Sequence, residues 1–206
     1  MTMLHFDEEG LKKDLIALPK AYRVAFAAAC AQRLLPAYFS FRSETKPDDS
    51  IALANILAHV WDSLIDEKHI EFDIEAMLEL AMSLIPQYDE DPVPILQPAA
   101  EDAGAAVAYT LRCYRSGDAQ EAAWSGRRVY EAMDNWVIQQ ERMKGLEGST
   151  DEEILRHPLV QNELDRQQRD LNELRRSIES DAYKVIDAIH KRSIKESMTF
   201  FICASA

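Results

Sequence analysis

Tyr22-Arg-Val-Ala-Phe26-Ala-Ala-Ala-Cys30-Ala-Gln-Arg33-Leu34-Leu35-Pro36-Ala-Tyr38-Phe39-Ser-Phe41 sets the structural class of this chain. Tyr22, Phe26, Ala29, Cys30, Arg33, Ala37 and Phe41 recur at spacings of three and four, the period of one helix face. The alanines lose no side-chain entropy in a helix, so the run is a core helix rather than a strand. Pro36 falls inside the pattern, which predicts a kink, or a break with a restart, at that point.

Outward from this run the text stays helical. A first helix is expected over Asp7–Leu18 and a third over Asp49–Asp66, whose apolar residues occupy more than one stripe. Glu67-Lys68-His69 reads as a loop. Asp73 is placed to cap a helix ending near Leu84, Pro98 to open one ending at Ser116-Gly117, and Asp118 to cap one reaching Lys144. Thr150-Asp-Glu-Glu153 has capping-box spacing. The last helix is expected to run from Pro158 to Ser197, with Leu164, Leu171, Ile178 and Val185 recurring every seven residues. Such a helix is too long for a small bundle to cover, so either it breaks or part of its seam packs outside the monomer, as in a homodimer. The apolar tail Phe200-Phe201-Ile202-Cys203 is expected in the core or on a partner subunit. The whole predicts an all-α, compact multi-helix bundle of about seven helices with a long C-terminal helix. One domain would span 1–206, with a proline-rich connection at 86–98 and a linker at 145–150.

The chain has 206 residues and a formal net charge of −13. That length suits one domain and needs no disulfide or metal staple. The 27 alanines against eight valines and five threonines favour helix over sheet. The charge is concentrated: Glu44 to Asp102 holds fifteen acidic residues and two basic ones, Lys46 and Lys68, and so carries the whole excess. This layout suits either solvated helix ends or an acidic patch for a basic protein partner or a cation, and it argues against nucleic acid. Arg127-Arg128 and Arg175-Arg176 are interspersed with acids and do not change that. No long apolar run suggests a membrane span. The N-terminal Met1-Thr-Met-Leu-His-Phe-Asp-Glu-Glu-Gly10 lacks a basic stretch followed by an apolar one, so a cytoplasmic protein is expected.

Motifs for chemistry are sparse. Six scattered glycines form no phosphate loop, and Cys30, Cys113 and Cys203 are odd in number and far apart. No HExxH, EF-hand loop or Glu-x-x-His pair occurs, so no cofactor and no metal are expected. Asp62 and Asp66, or Glu75 and Glu79, share helix faces, but carboxylates are too plentiful for one pair to stand out. His59, beside Val60 and Trp61, reads as a hydrogen-bonded core or boundary histidine, with a general base or ligand as the functional alternative.

The combined order of several fragments resembles the YjaG-like family of bacterial cytoplasmic proteins, an all-helical domain of unknown function. The fragments are the run from Phe26 to Phe41, Ile56-Leu57 through Trp61, Pro98 with Asp102-Ala103, and Asp151-Glu-Glu-Ile-Leu-Arg-His-Pro158-Leu-Val-Gln-Asn-Glu163. The resemblance implies the helical fold and carries no reaction or cofactor. Two function classes follow. One is an interaction protein using an acidic surface or the helical seam, including a homodimer or an inhibitor of a basic partner. The other is an enzyme or small-ligand binder with a polar pocket between helices, near Arg33, Tyr38, His59 and Asp102.

Overall fold

The structure is a computed structural model and describes residues 3–65, 73–87, 94–145, 149–177 and 182–204, with side chains as far as Ser197. Nine α-helices occur among the described residues: α1 Glu8–Ile16, α2 Lys20–Thr45, α3 Ala52–Ile65, α4 Ile74–Ser83, α5 Gln97–Ser116, α6 Ala119–Met143, α7 Asp151–Arg156, α8 Pro158–Arg176 and α9 Ala182–Ala204, with a 3₁₀ turn at Pro47–Asp49. The expected loop at Glu67–His69 lies outside the described residues, as do 88–93 of the proline-rich connection and 146–148 of the linker.

The capping chemistry behaves as its residue types dictate. Asp7, Asp73, Asp118 and Thr150 each accept a backbone N–H of the following first turn, and Thr150 with Glu153 completes the reciprocal capping box. Gly117 closes α5 at φ 72°, the left-handed region where a Cβ is strained.

α2 is the axis of the bundle. It packs against α5, α6, α9, α3 and α8. Ala25, Ala27, Ala28, Ala29, Ala31 and Ala37 are fully buried, so neighbouring backbones approach closely from several sides. Ser125 Oγ on α6 donates to the Ala27 carbonyl at 2.9 Å, a measure of that approach. By length and composition α2 would cross a membrane, but 78% of its most apolar window is buried inside the bundle. A helix apolar all round is what a central core helix requires.

Three expectations need correction. The helix count is nine among the described residues rather than about seven. α2 continues through Pro36, which corrects the break with a restart, one of the two alternatives expected there. Packing on nearly every face of α2 supplies more than the one backbone bond that Pro36 cannot donate to the Gln32 carbonyl. The long C-terminal helix is two helices, α8 and α9, which pack on each other and both on α2. Leu164, Leu171 and Leu174 of α8 and Ile186 and Ile189 of α9 are buried in the same apolar cluster as α2. The seam is thus covered within the chain, so its length no longer argues for a second copy. Ile178 and the tail side chains Phe200–Cys203 lie outside the described residues.

Gly126 marks a close contact between helices. A Cβ there would lie 3.0 Å from Gln167 Oε1, 3.3 Å from Leu11 and 3.4 Å from Phe26, which come from α8, α1 and α2.

Candidate functional site

The densest polar constellation surrounds Arg33, on the α2 face that meets α8 and α9. Its guanidinium donates to Glu163 Oε1 and Asp170 Oδ2, both at 3.0 Å, and to Cys30 Sγ at 3.4 Å. Glu196 Oε2 is 3.7 Å away. Arg33, Glu163 and Asp170 are each at most 1% exposed. Around them Arg192 holds Asp170 at 2.7 Å and Glu173 at 2.8 Å, Arg169 pairs with Glu196, and Arg166 stands 3.8 Å from Glu163. Four arginines meet four carboxylates, so the cluster is neutral overall. Burial disfavours the Arg33 charge, but the surrounding carboxylates, Glu163 foremost, outweigh it and hold the guanidinium above its ordinary pKa. Burial also pushes the Cys30 thiol up, and Arg33 only partly offsets this, so Cys30 is not an activated nucleophile. The cluster locks α2, α8 and α9 together rather than presenting a reactive group.

A second polar pair joins α5 to α6. Arg128 donates to Asp102 Oδ1 at 3.3 Å and also meets Glu131 at 3.1 Å. Asp102 is 7% exposed. Burial raises its carboxyl to about 7, with Arg128 pulling it down and Glu131 and Glu101 adding to the rise.

The four residues read from the sequence as a ligand site take different places. Arg33 faces α8 and α9, and Asp102 faces α6. Tyr38 is buried, with the Arg42 guanidinium 5.5 Å from its ring centroid. His59 lies on the exposed side of α3, which corrects its expected core or boundary position. The imidazole against Trp61 is that of His190, with centroids 4.4 Å apart and planes at 20°. The partners of Arg33, Tyr38 and Asp102 do not overlap. Among the described residues no three His, Cys, Asp or Glu side chains are grouped to hold a metal ion.

The third feature is the surface of the acid-rich segment. Its elements pack on one another: the 3₁₀ turn and α3 on α2, α3 on α4, and α4 on α5. Glu44, Asp48, Asp62, Glu75 and Glu79 are exposed there, and Glu75 pairs with Arg115 at 2.8 Å. Four of the eight exposed large hydrophobics among the described residues belong to the same stretch, Ile51, Leu80, Met82 and Ile95, each at least 42% exposed, and Phe39 precedes it on α2.

A family model described as a protein of unknown function, DUF416, matches residues 10–200. The chain belongs to the DUF416 family. A crystal structure of another DUF416 family protein, from Shewanella baltica OS155, is 21% identical and superposes with a TM-score of 0.76, covering 90% of this chain and 94% of that one. At that identity the likeness shows the DUF416 fold alone. No curated protein matches.

Sequence reasoning missed the carboxylates and arginines that complete the Arg33 cluster. One signal was present. Val160, Glu163, Gln167, Asp170 and Leu174 follow the three-and-four spacing of the buried α8 stripe, so three polar residues sit where apolar ones belong. Polar groups on a buried face require partners, and Arg33 on the corresponding face of α2 is one.

Proposed function

We propose that this DUF416 protein is a helical interaction protein whose acidic face receives a basic, amphipathic segment of a partner protein. One observation carries the proposal: exposed acids and exposed large hydrophobics share the packed elements from the end of α2 to the start of α5. Apolar anchors interspersed with carboxylates suit a partner with a hydrophobic stripe and lysine or arginine flanks. The chain is read as one domain over 1–206, because the buried hydrophobics from α1 to α9 belong to one cluster. Its placement as a YjaG-like, cytoplasmic member of the family rests on the fragments quoted above.

The test is fluorescence anisotropy with a labelled Lys- and Leu-rich amphipathic peptide and its Glu-for-Lys counterpart. The basic peptide is expected to bind and to weaken with salt, since exposed charges are screened beyond roughly 10 Å at 0.1 M. The variant Asp62→Lys/Glu79→Lys is expected to bind about tenfold more weakly. Equal binding of both peptides, or an unchanged variant, removes the proposal.

A further inference from the structure

Before α1 the chain runs as a non-helical strap, residues 3–7, across α8 and α6. Leu4 and Phe6 are half-buried and pack against the core, while His5 between them is exposed. That is the alternation of an extended segment with one face inward. Leu4 is held by its main chain. Its N–H donates to Gln161 Oε1, and its carbonyl accepts from Gln161 Nε2, both at 2.9 Å. The Gln161 amide thus pairs with Leu4 as a neighbouring strand would. Nε2 also donates to the Leu155 carbonyl at 2.8 Å, near the end of α7, so the amide is oriented from within the body as well as by the strap. Phe6 lies on the Tyr130 ring of α6, with centroids 5.0 Å apart and planes at 8°.

Two hydrogen bonds, one ring stack and the packing of two half-buried side chains fasten the strap to the body. Ordering each residue of a chain costs at least as much as one net hydrogen bond returns, so these fastenings leave the strap near balance. α1 has fastenings of its own. Leu11 and Leu15 are buried, Gln120 and Arg127 of α6 hold Glu8 at 2.9 and 3.2 Å, and the Asp7 carboxylate accepts the Gly10 N–H. Opening can therefore hinge just before Asp7 and leave the bundle intact. Leu4 and Phe6 also line a hollow of about 230 Å³ with Leu11 of α1 and Leu164 and Leu171 of α8, so the strap lies over a groove rather than within the core.

We propose that the groove marked by Gln161 and Tyr130 docks an extended apolar-x-aromatic segment of a partner protein, and that Leu4-His5-Phe6 occupies it as an exchangeable ligand in cis. The strap itself defines the occupant. Gln161 reads main-chain N–H and C=O groups, which every residue except proline carries, so it fixes an extended path rather than a residue type. The apolar contact at the Leu4 position and the Tyr130 ring at the Phe6 position set the side-chain pattern. The cis ligand sets a threshold, since a partner's segment binds only the fraction of molecules whose strap is open. The groove lies on α6 and α8 rather than on the acidic face, so this proposal and the one above can fail separately.

NMR titration of the full chain with a peptide copying residues 3–10 tests it, read at the Tyr130 ring and the Gln161 side-chain amide. The peptide is acidic, so the acidic face does not attract it. In the chain carrying Leu4→Ser/Phe6→Ser, which frees the groove, the peptide is expected to bind one-to-one with a Kd on the order of 1 mM or tighter, at least about tenfold tighter than to the native chain. Adding Gln161→Leu, or placing serine at the Leu4 and Phe6 positions of the peptide, is expected to cost about tenfold in affinity. Hydrogen exchange of the native chain covers the case in which the double variant does not fold. The Leu4 N–H is expected to exchange about a hundredfold or more faster than that of Ala29 in the core of α2, because the strap opens without unfolding the bundle. No binding to the double variant, equal binding to the native chain, undiminished binding with Gln161→Leu, or a Leu4 N–H as protected as that of Ala29 overturns the proposal.

Discussion

Replacing Arg33 by Met tests how far the buried charge cluster holds α8 and α9 on α2. The substitution keeps most of the side-chain volume and deletes the cation. Two contacts of 3.0 Å to nearly inaccessible carboxylates disappear with it. The two carboxylates are not left equally exposed to the loss. Asp170 keeps Arg192 at 2.7 Å and Arg169 at 3.6 Å. Glu163 keeps the Gln167 amide at 2.9 Å and only a distant cation, Arg166 at 3.8 Å. Breaking a buried ion pair by removing one partner costs about 3–5 kcal/mol, because an uncompensated charge stays behind. At about 2–4 °C per kcal/mol for a chain of this size, Arg33→Met should lower Tm by roughly 6–20 °C. The asymmetry gives a sharper expectation. Adding Glu163→Gln to Arg33→Met should recover more stability than adding Asp170→Asn, since Glu163 is the charge left with the poorer partner. Thermal and urea denaturation of the native chain, the three single variants and the two double variants measures this, read as double-mutant cycles. A cost for Arg33→Met below about 1 kcal/mol, the range of surface pairs, would refute the reasoning. So would equal rescue by the two second substitutions.

Three further outcomes follow from other parts of the bundle. Asp102 titrates near 7 when folded against an ordinary 3.8, so between those values the folded chain keeps a proton that the unfolded chain has lost, and stability falls as pH rises through that window. Asp102→Asn should therefore gain stability over the native chain as pH rises, by an amount on the order of 2 kcal/mol above neutrality, and a Tm difference flat from pH 4 to 8 contradicts this. Gly104→Ala places a Cβ 2.8 Å from Ile85 Cγ1 and 3.4 Å from its Cα, and should lower the urea midpoint by an amount equivalent to about 1–3 kcal/mol. Cys30 and Cys113 are fully buried, with burial raising both thiols, that of Cys113 to about 12. DTNB should leave both unmodified in the folded chain, with peptide mass mapping as the check.

What the sequence made legible was local. Asp73, Asp118, Thr150 and Gly117 announce helix ends because caps act within one turn. The alanine-rich α2 announces the core because its apolar residues leave no solvent face. The α8–α9 division was not legible, since a heptad seam reads the same whether a helix continues or folds back, and only tertiary packing decides between them. His59 was placed too deep because α3 is apolar on several stripes. The pattern there does not say which neighbour of Trp61 points inward, and His190 from the far end of the chain fills that role. Arg33 could be assigned to a buried face, but its partners lie 130 and 137 residues away. Arg42 stands in the last turn of α2, where the macrodipole favours a cation. Only the packing of α4 and α5 around it shows that it is enclosed.

The most direct test of the interaction proposal is a chemical-shift map of the folded chain titrated with the basic amphipathic peptide. The expected result is a set of perturbed amides clustered at Glu44–Ile51, around Asp62, and along Glu75–Met82, with α1, α6 and α8 unmoved. Perturbations centred on α1, α6 or α8, or a spectrum unchanged at saturating peptide, would contradict it.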